Sequence, residues 1–227
     1  TNWFDWKPNT TPSMTIQLGN FSIDLTTIAG NLPINDAFKF SYEPSISLPL
    51  CTTLPEETSI LITSSSKQRK TGIKLLQNAM LRTLTSIPPG KVKFTLIDPV
   101  GLGESFASVL HLADFEESQL LDRAWTEPRH IETQLARLTE HMETVIQKYL
   151  RNEFETIDAY NEQAGEIAEP YRFLVIADFP NNISDISARR LTSIITSGAR
   201  CGVHVIIHHD NSVPLPGGID PEILQRI

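Results

Sequence analysis

From residue 58 onward the chain alternates short apolar runs with helix-periodic segments, and that alternation leaves few folds open. Residues 59–63 are a compact apolar run of the kind that forms a strand buried on both faces, and 92–99, ended by Pro99, 173–176 and 202–207 read as further core strands. Between them lie segments with three- and four-residue apolar spacing. Residues 71–87 carry Ile73, Leu76, Met80, Leu84 and Ile87, and Pro88-Pro89-Gly90 stops them. Residues 127–150 place Pro128 in the first turn and run a stripe through Ile131, Leu135, Leu138, Met142, Val145 and Tyr149. A further helical stretch is expected over 154–164. Another is expected over 184–196, capped by Ser184, ended by Gly198, with Ile186, Leu191, Ile194 and Ile195 facing inward. Strands separated by helices demand right-handed crossovers and a sheet covered on both sides. Residues 58–209 therefore read as an α/β core, a doubly wound, mostly parallel sheet.

The first quarter of the chain reads differently. Residues 1–13 are polar, with Pro8, Pro12, Trp3, Phe4 and Trp6, and look like a linker or docking arm. Residues 14–25 alternate apolar and polar side chains around Gly19-Asn20, which predicts a β-hairpin with a two-residue turn. Pro33, Pro44, Pro49 and Pro55 exclude a long helix over 26–57 and predict short edge strands and turns. The expected division is an N-terminal arm, hairpin and Pro-rich segment over 1–57, packing on a core over 58–227. The start at Thr1-Asn2-Trp3 and the stop at Arg226-Ile227 read as the ends of a fragment of something longer.

No apolar run approaches the ~20 residues that cross a bilayer, so no membrane contact by this stretch is expected. Cys51 and Cys201 lie far apart, and no His/Cys pair has zinc spacing. That argues against a disulfide framework and fits a cytoplasmic setting, whether or not a parent protein is membrane-anchored. A net charge of −8 argues against a uniformly basic nucleic-acid binder. The charge is uneven, however. Residues 101–170 hold five Lys and Arg against fifteen Asp and Glu, whereas between Glu57 and Asp98 every charged residue is basic. Lys67, Arg69, Lys70 and Lys74 cluster there, beside an expected strand end. Two solvated faces of opposite sign are the ordinary explanation; an anion site near 64–74 is the sharper one.

In an open parallel sheet, ligands bind beyond the carboxyl ends of the strands. Those ends are residues 64–71, 98–103, 177–181 and 208–211. The first runs strand, polar turn, Lys70-Thr71, helix, which is the layout of the phosphate-binding pattern G-x-x-x-x-G-K-[ST]. Here the eight residues are Ser64-Ser65-Ser66-Lys67-Gln68-Arg69-Lys70-Thr71. Lysine and threonine stand in place, but both glycines are gone. Glycine matters there because the loop adopts positive φ and brings backbone N–H groups against phosphate oxygens. Arg69 in particular either crowds a phosphate pocket or enters it and takes the phosphate's place. Other features are weaker. His208-His209-Asp210 is a metal half-site or a polar strand end without a third ligand. Asp98 hydrogen-bonds the loop of 64–71 or caps its own turn before Pro99. Arg189, Arg190 and Arg200 are surface residues or act on a neighbour's nucleotide. Gly101-Leu102-Gly103 lacks the third glycine of a dinucleotide fingerprint, and no Gly-x-Ser-x-Gly exists.

The order of landmarks resembles the motor domain of the FtsK/SpoIIIE family of DNA-translocating ATPases, including the related modules of type VII secretion. The landmarks are the strand–loop–helix over 60–76, Ile97-Asp98-Pro99, the long helix with His141-Met142-Glu143 and Tyr149, Tyr160-Asn161-Glu162, and residues 173–179 followed by 198–204. They cover roughly residues 55–212. The resemblance implies a RecA-like P-loop core with ATP at the loop of 64–71, where Ser66, Lys67, Arg69, Lys70 and Thr71 line the nucleotide. By position, Lys70 neutralises phosphate charge and the Thr71 hydroxyl binds Mg2+. The Walker B strand of the family ends in Asp-Glu; here it ends Ala177-Asp178, so Asp178 alone remains as a catalytic acid. Where the family has a γ-phosphate-sensing Gln stand His208, His209 and Asp210.

Phosphate glycines, metal Asp, water-positioning Glu and sensor are thus altered together. The expectation is a degenerate motor domain of a larger protein, with hydrolysis lost and a role in assembly or regulation of a DNA- or protein-translocating machine. Its partners would be other motor domains, and DNA through the family. The alternatives are a live, divergent ATPase in which Lys70, Thr71, Asp178 and Arg69 hold the nucleotide, and a DNA-contacting module built on the basic 67–93 stretch.

Overall fold

The computed structural model describes residues 3–13, 15–30, 35, 37, 45–55, 57–114, 120–151 and 153–227. The elements run β1 (Thr15–Asp24), α1 (Leu25–Ala29), β2 (Ser45–Thr53), β3 (Ile60–Ser64), α2 (Arg69–Ser86), β4 (Val92–Ile97), α3 (Ala107–Leu110) and β5 (Leu121–Trp125). They continue with α4 (Pro128–Thr144), α5 (Ile157–Ala164), β6 (Tyr171–Phe179), α6 (Asp185–Ser197), β7 (Val203–Asp210) and α7 (Pro221–Leu224). Five strands form one sheet in the order β3-β7-β6-β4-β5, parallel throughout, and β1 and β2 form a separate antiparallel pair.

The sheet is wound on both faces, and β6 shows why its sequence is a nearly unbroken apolar run. Phe173, Val175 and Ala177 point into a core made with Ile73, Leu76 and Met80 of α2 and with Phe106. Leu174 and Ile176 point into the other core, against Ile131, Leu135 and Met142 of α4 and Leu191 and Ile194 of α6. Both faces of a central parallel strand are covered by crossover helices, so alternation disappears.

Helix boundaries follow their local chemistry. Ser184 accepts a hydrogen bond from the Ser187 N–H at 3.1 Å and caps α6. Ile186 lies 45% exposed, contrary to the expected inward face; Ala188 is buried in its stead, beside Leu191. The long helix also changes character, since α4 gives way to a π-helical stretch over Val145–Leu150. Strand β5 was not visible as an apolar run. Among the described residues it is an edge strand paired only with β4, so Arg123 can remain solvated, with its guanidinium 4.2 Å from the Trp125 ring.

The N-terminal ribbon is present, but not as a hairpin turned at Gly19-Asn20. Residues on both sides of that dipeptide belong to the single strand β1, whose partner is β2. The local irregularity falls between Gln17 and Gly19 as a register shift, and the Gln17 amide donates to Asn20 Oδ1 at 2.7 Å. Pro49 sits opposite Asn20, on a strand with one neighbour, where a missing N–H is tolerated. The base of the ribbon is fixed to the core: Ile16 is buried, and the Asn78 amide of α2 donates to the Leu18 carbonyl at 2.8 Å. The preceding arm is tied to the end of α2, where the Ser86 carbonyl accepts the Ser13 N–H at 2.9 Å and the Asn9 amide at 3.1 Å.

Candidate functional site

The loop of 64–71 has almost no length. Strand β3 ends at Ser64, and after Ser65 alone a 3-10 turn over Ser66–Gln68 leads directly into α2. None of its residues has positive φ. Several of its donors are engaged by neighbouring protein groups. The Ser66 N–H donates to Ser212 Oγ at 3.1 Å and the Ser66 hydroxyl to Asp210 Oδ2 at 2.8 Å. The Gln68 N–H returns to the Ser65 carbonyl at 2.8 Å, and the Asn211 N–H to the Ser64 carbonyl at 3.0 Å. Asp210 also accepts the Ser212 N–H at 2.9 Å. Burial works to raise its carboxyl, but the hydrogen bonds from Ser212 and Ser66 outweigh that and hold it below the ordinary value. Lys67, Lys70 and Thr71 are exposed.

Arg69 turns away from solvent onto Asp178. Its Nε donates to Oδ1 at 2.8 Å and its Nη2 to Oδ2 at 2.6 Å, the two-pronged geometry that suits guanidinium and carboxylate. The Asp178 side chain is 2% exposed and that of Arg69 37%. Asp178 reaches this position through the irregular end of β6. The register against β7 shifts between Ile176 and Phe179, and Asp178 takes φ of 52°, a left-handed value that Asp tolerates better than most residues. Burial pushes its carboxyl up, but His208 and Arg69 together hold it below its ordinary value, and Asp178 in turn raises Arg69.

Arg69 Nη2 also donates to Ser105 Oγ at 3.3 Å, and Ser105 Oγ donates to Asp98 at 3.1 Å. Asp98 resolves in favour of capping its own turn. It accepts the N–H groups of Gly101, Gly103 and Ser105 at 2.9, 2.8 and 3.0 Å. A side chain at Gly101 would place its Cβ 2.7 Å from the Asp98 carboxylate, so the turn closes only around glycine.

His208 is fully buried between the loop and Asp178. Its Nδ1 accepts the Asp178 N–H at 3.2 Å, and its Nε2 lies 2.9 Å from Ser64 Oγ. Gly72 makes room for it: a Cβ there would lie 2.4 Å from His208 Nε2. The three residues read as a metal half-site diverge. His208 bridges Ser64 and Asp178, His209 packs on the Phe179 ring, and Asp210 holds Ser66. No group of three or more His, Cys, Asp or Glu among the described residues is placed to hold a metal. Arg190 donates to the Glu132 carbonyl and Arg200 to the Glu155 carbonyl, while Arg189 is exposed.

Strand–loop–helix, acid-terminated neighbouring strand and the long helix behind it are the frame of one ATPase lineage, and a profile of the FtsK/SpoIIIE family matches residues 60–217. The chain belongs to the FtsK/SpoIIIE family. Three solved structures share the fold. EssC (ATPases 2 and 3) from Geobacillus thermodenitrificans is 15% identical with a TM-score of 0.63, over 97% of this chain and 37% of that one. The cytoplasmic domain of the Thermomonospora curvata type VII secretion ATPase EccC is 16% identical with a TM-score of 0.59, over 80% and 21%. The pCW3 conjugation coupling protein TcpA, solved with ATPγS, is 14% identical with a TM-score of 0.57, over 78% and 51%. The chain thus spans about half or less of each. No curated protein sequence matches it. FtsK/SpoIIIE motor domains are P-loop ATPase folds, and this chain has that architecture with an arginine reaching across the crevice.

Two contributors escaped sequence reasoning. Ser105 and Ser212 are hydroxyls in loops far from residues 64–71, and nothing in their local sequence marks them.

Proposed function

We propose that this domain is a motor fold that no longer hydrolyses ATP and serves assembly or regulation within a larger translocating machine. The observation that carries this is the Arg69–Asp178 fork. In the site the family implies, an acid at the end of β6 acts on the metal or the attacking water. Here that acid already has a cation on both oxygens. A bound Mg2+ or water would have to displace a charge-assisted pair rather than an ordered solvent molecule.

Residues 64–71 as placed do not fit a magnesium triphosphate. A phosphate cradle needs several backbone N–H groups converging from a loop with left-handed residues. This turn has one residue between strand and helical turn, no positive φ, and its Ser66 N–H held by Ser212. Asp210 adds a carboxylate beside Ser66. Ala177, at the position of the family's metal acid, is buried in the core and offers no oxygen. With the Ser66 donors used and negative charge added beside them, the turn itself offers little to a γ-phosphate in transit, and the cations Lys67 and Lys70 stay out on the surface.

The partners in this reading are ATP-hydrolysing motor domains of the same or a neighbouring chain. The resemblance to EssC, EccC and TcpA favours secretion or conjugation machinery as the setting. A cytoplasmic position agrees with the described residues, in which no helix is long and apolar enough to cross a membrane.

Thermal unfolding with and without Mg-ATP tests the proposal. Saturating ligand at a hundredfold excess over Kd would add about 2.7 kcal/mol. The expected result is no shift. A clear shift abolished by Lys70→Ala, together with phosphate release from ATP that the same change abolishes, would establish the live, divergent ATPase instead.

A further inference from the structure

At the other end of the sheet, where the parallel strands begin, a cavity of about 530 Å³ opens between the N-terminal arm and the start of β6. Its apolar walls come from three separate segments. Pro12 belongs to the arm, Pro55 follows β2, and Pro88 and Pro89 follow α2; the Tyr171 ring completes the lining. Proline walls have no side-chain rotamers to freeze, so little entropy is lost when something binds between them.

The charged lining is mostly acidic. Asp158, Glu162 and Glu169 share it with Lys91. Glu169 is committed to Arg172 at 3.2 Å, and the Lys91 ammonium donates to the Ala168 carbonyl at 3.3 Å. Asp158 accepts the Tyr171 hydroxyl on one oxygen, and its other oxygen has no hydrogen-bond partner among the described residues. Glu162 is exposed and forms no ion pair among the described residues. An anionic occupant would meet two under-compensated carboxylates. A purely apolar one would cover them without supplying a donor, which is costly.

We propose that this cavity receives an arginine or lysine side chain from an extended segment of a partner protein. The aliphatic stem lies on the prolines and the Tyr171 ring, and the cationic head pairs with the exposed Glu162, near Asp158, whose unpartnered oxygen is closed off from solvent and feels the charge without touching it. Long basic side chains suit such a site because they are apolar along their length and charged only at the tip. Burial pushes the Asp158 carboxyl above its ordinary value, a carboxylate short of compensation that an incoming cation supplies.

The test uses the 15N-labelled 227-residue chain and the peptide acetyl-Pro-Leu-Arg-Pro-amide, with a citrulline analogue of equal shape and no charge. Two-dimensional NMR should show arginine-peptide shifts at the amides of Thr11, Lys91, Glu162 and Gly165. The citrulline peptide and the Glu162→Lys variant should each bind at least about tenfold more weakly, as expected for losing a charge-assisted contact. Asp158→Asn should weaken binding likewise; if it perturbs the fold through Tyr171, the exposed Glu162→Lys change still decides. Equal binding of the two peptides would mean an apolar pocket and overturn the proposal. So would shifts confined to residues 66–74, or none at millimolar peptide.

Discussion

The guanidinium of Arg69 meets both carboxylate oxygens of Asp178, joining the first residue of α2 to the end of strand β6 across 109 positions of sequence. The pair is asymmetric: the acid is buried and the base is more than one-third exposed. Removing the base therefore leaves a buried charge, whereas removing the acid leaves a cation that can reach water.

Arg69→Met should destabilise the domain by about 2–3 kcal/mol, below the 3–5 typical of a fully buried pair because Arg69 is partly solvated. Asp178→Asn should cost less, and the double variant should recover part of the Arg69→Met loss. Urea unfolding at neutral pH measures all three.

The same pair has a pH signature. The folded value of Asp178 lies below its unfolded value, so its stabilisation is complete above the unfolded value near 4 and is lost as pH falls through the folded one. The gap in stability between the native chain and Arg69→Met should accordingly narrow below about pH 4. A gap that widens in acid would contradict the assignment.

Gly72→Ala reverses the usual sign of its class. Replacing a glycine within a helix by alanine ordinarily stabilises by up to about 1 kcal/mol. Here the new Cβ would stand 2.4 Å from His208 Nε2 and 3.0 Å from Ser64 Oγ. The expected outcome is a net loss of about 2 kcal/mol. Adding His208→Ala should restore part of it, which melting temperatures of the single and double variants will show.

His204 lies buried in β7 beside Phe173 and Tyr171, with no hydrogen-bond partner on either ring nitrogen among the described residues. Burial lowers its pKa to about 4. The unfolded chain takes up a proton near pH 6.5 that the folded chain refuses until about 4, so stability falls as pH drops across that window, by on the order of 3 kcal/mol. His204→Leu should remove that slope and raise stability at pH 5. A residual slope should remain from His141, which burial and Arg172 also hold near 4. Urea midpoints at pH 5 and 7.5 measure the difference.

Of the strands that were legible, β3, β6 and β7 are apolar on both faces, and β4 alternates Val92, Phe94 and Leu96 with Lys93 and Thr95 before closing on Ile97. β5 was not, because an edge strand reading Leu121-Asp122-Arg123-Ala124-Trp125 carries two charges in five residues. The pairing of β1 was misjudged for a related reason: Gly19-Asn20 is chemically a turn, but a 20-residue connection to β2 competes with it, and the packing of Leu18 on the α2 core and its bond from Asn78 favour the long pairing. At the site, Arg69 stood out as an arginine where the family pattern has glycine. Its partner could not be read off, since Asp178 lies on another strand and reaches Arg69 only through the irregular end of β6. His208 looked like a ligand from its neighbours His209 and Asp210, yet successive residues on a strand point to opposite sides.

Strand β6 is apolar on both sides, so hydrophobicity alone hardly penalises a slip along its neighbours. Polar fasteners at its two tips supply what greasiness cannot. Tyr171 is tethered to Asp158 at one extremity and Asp178 to Arg69 at the other. Sliding the strand by one position would unfasten both at once, so the central beam of the sheet carries its own alignment marks.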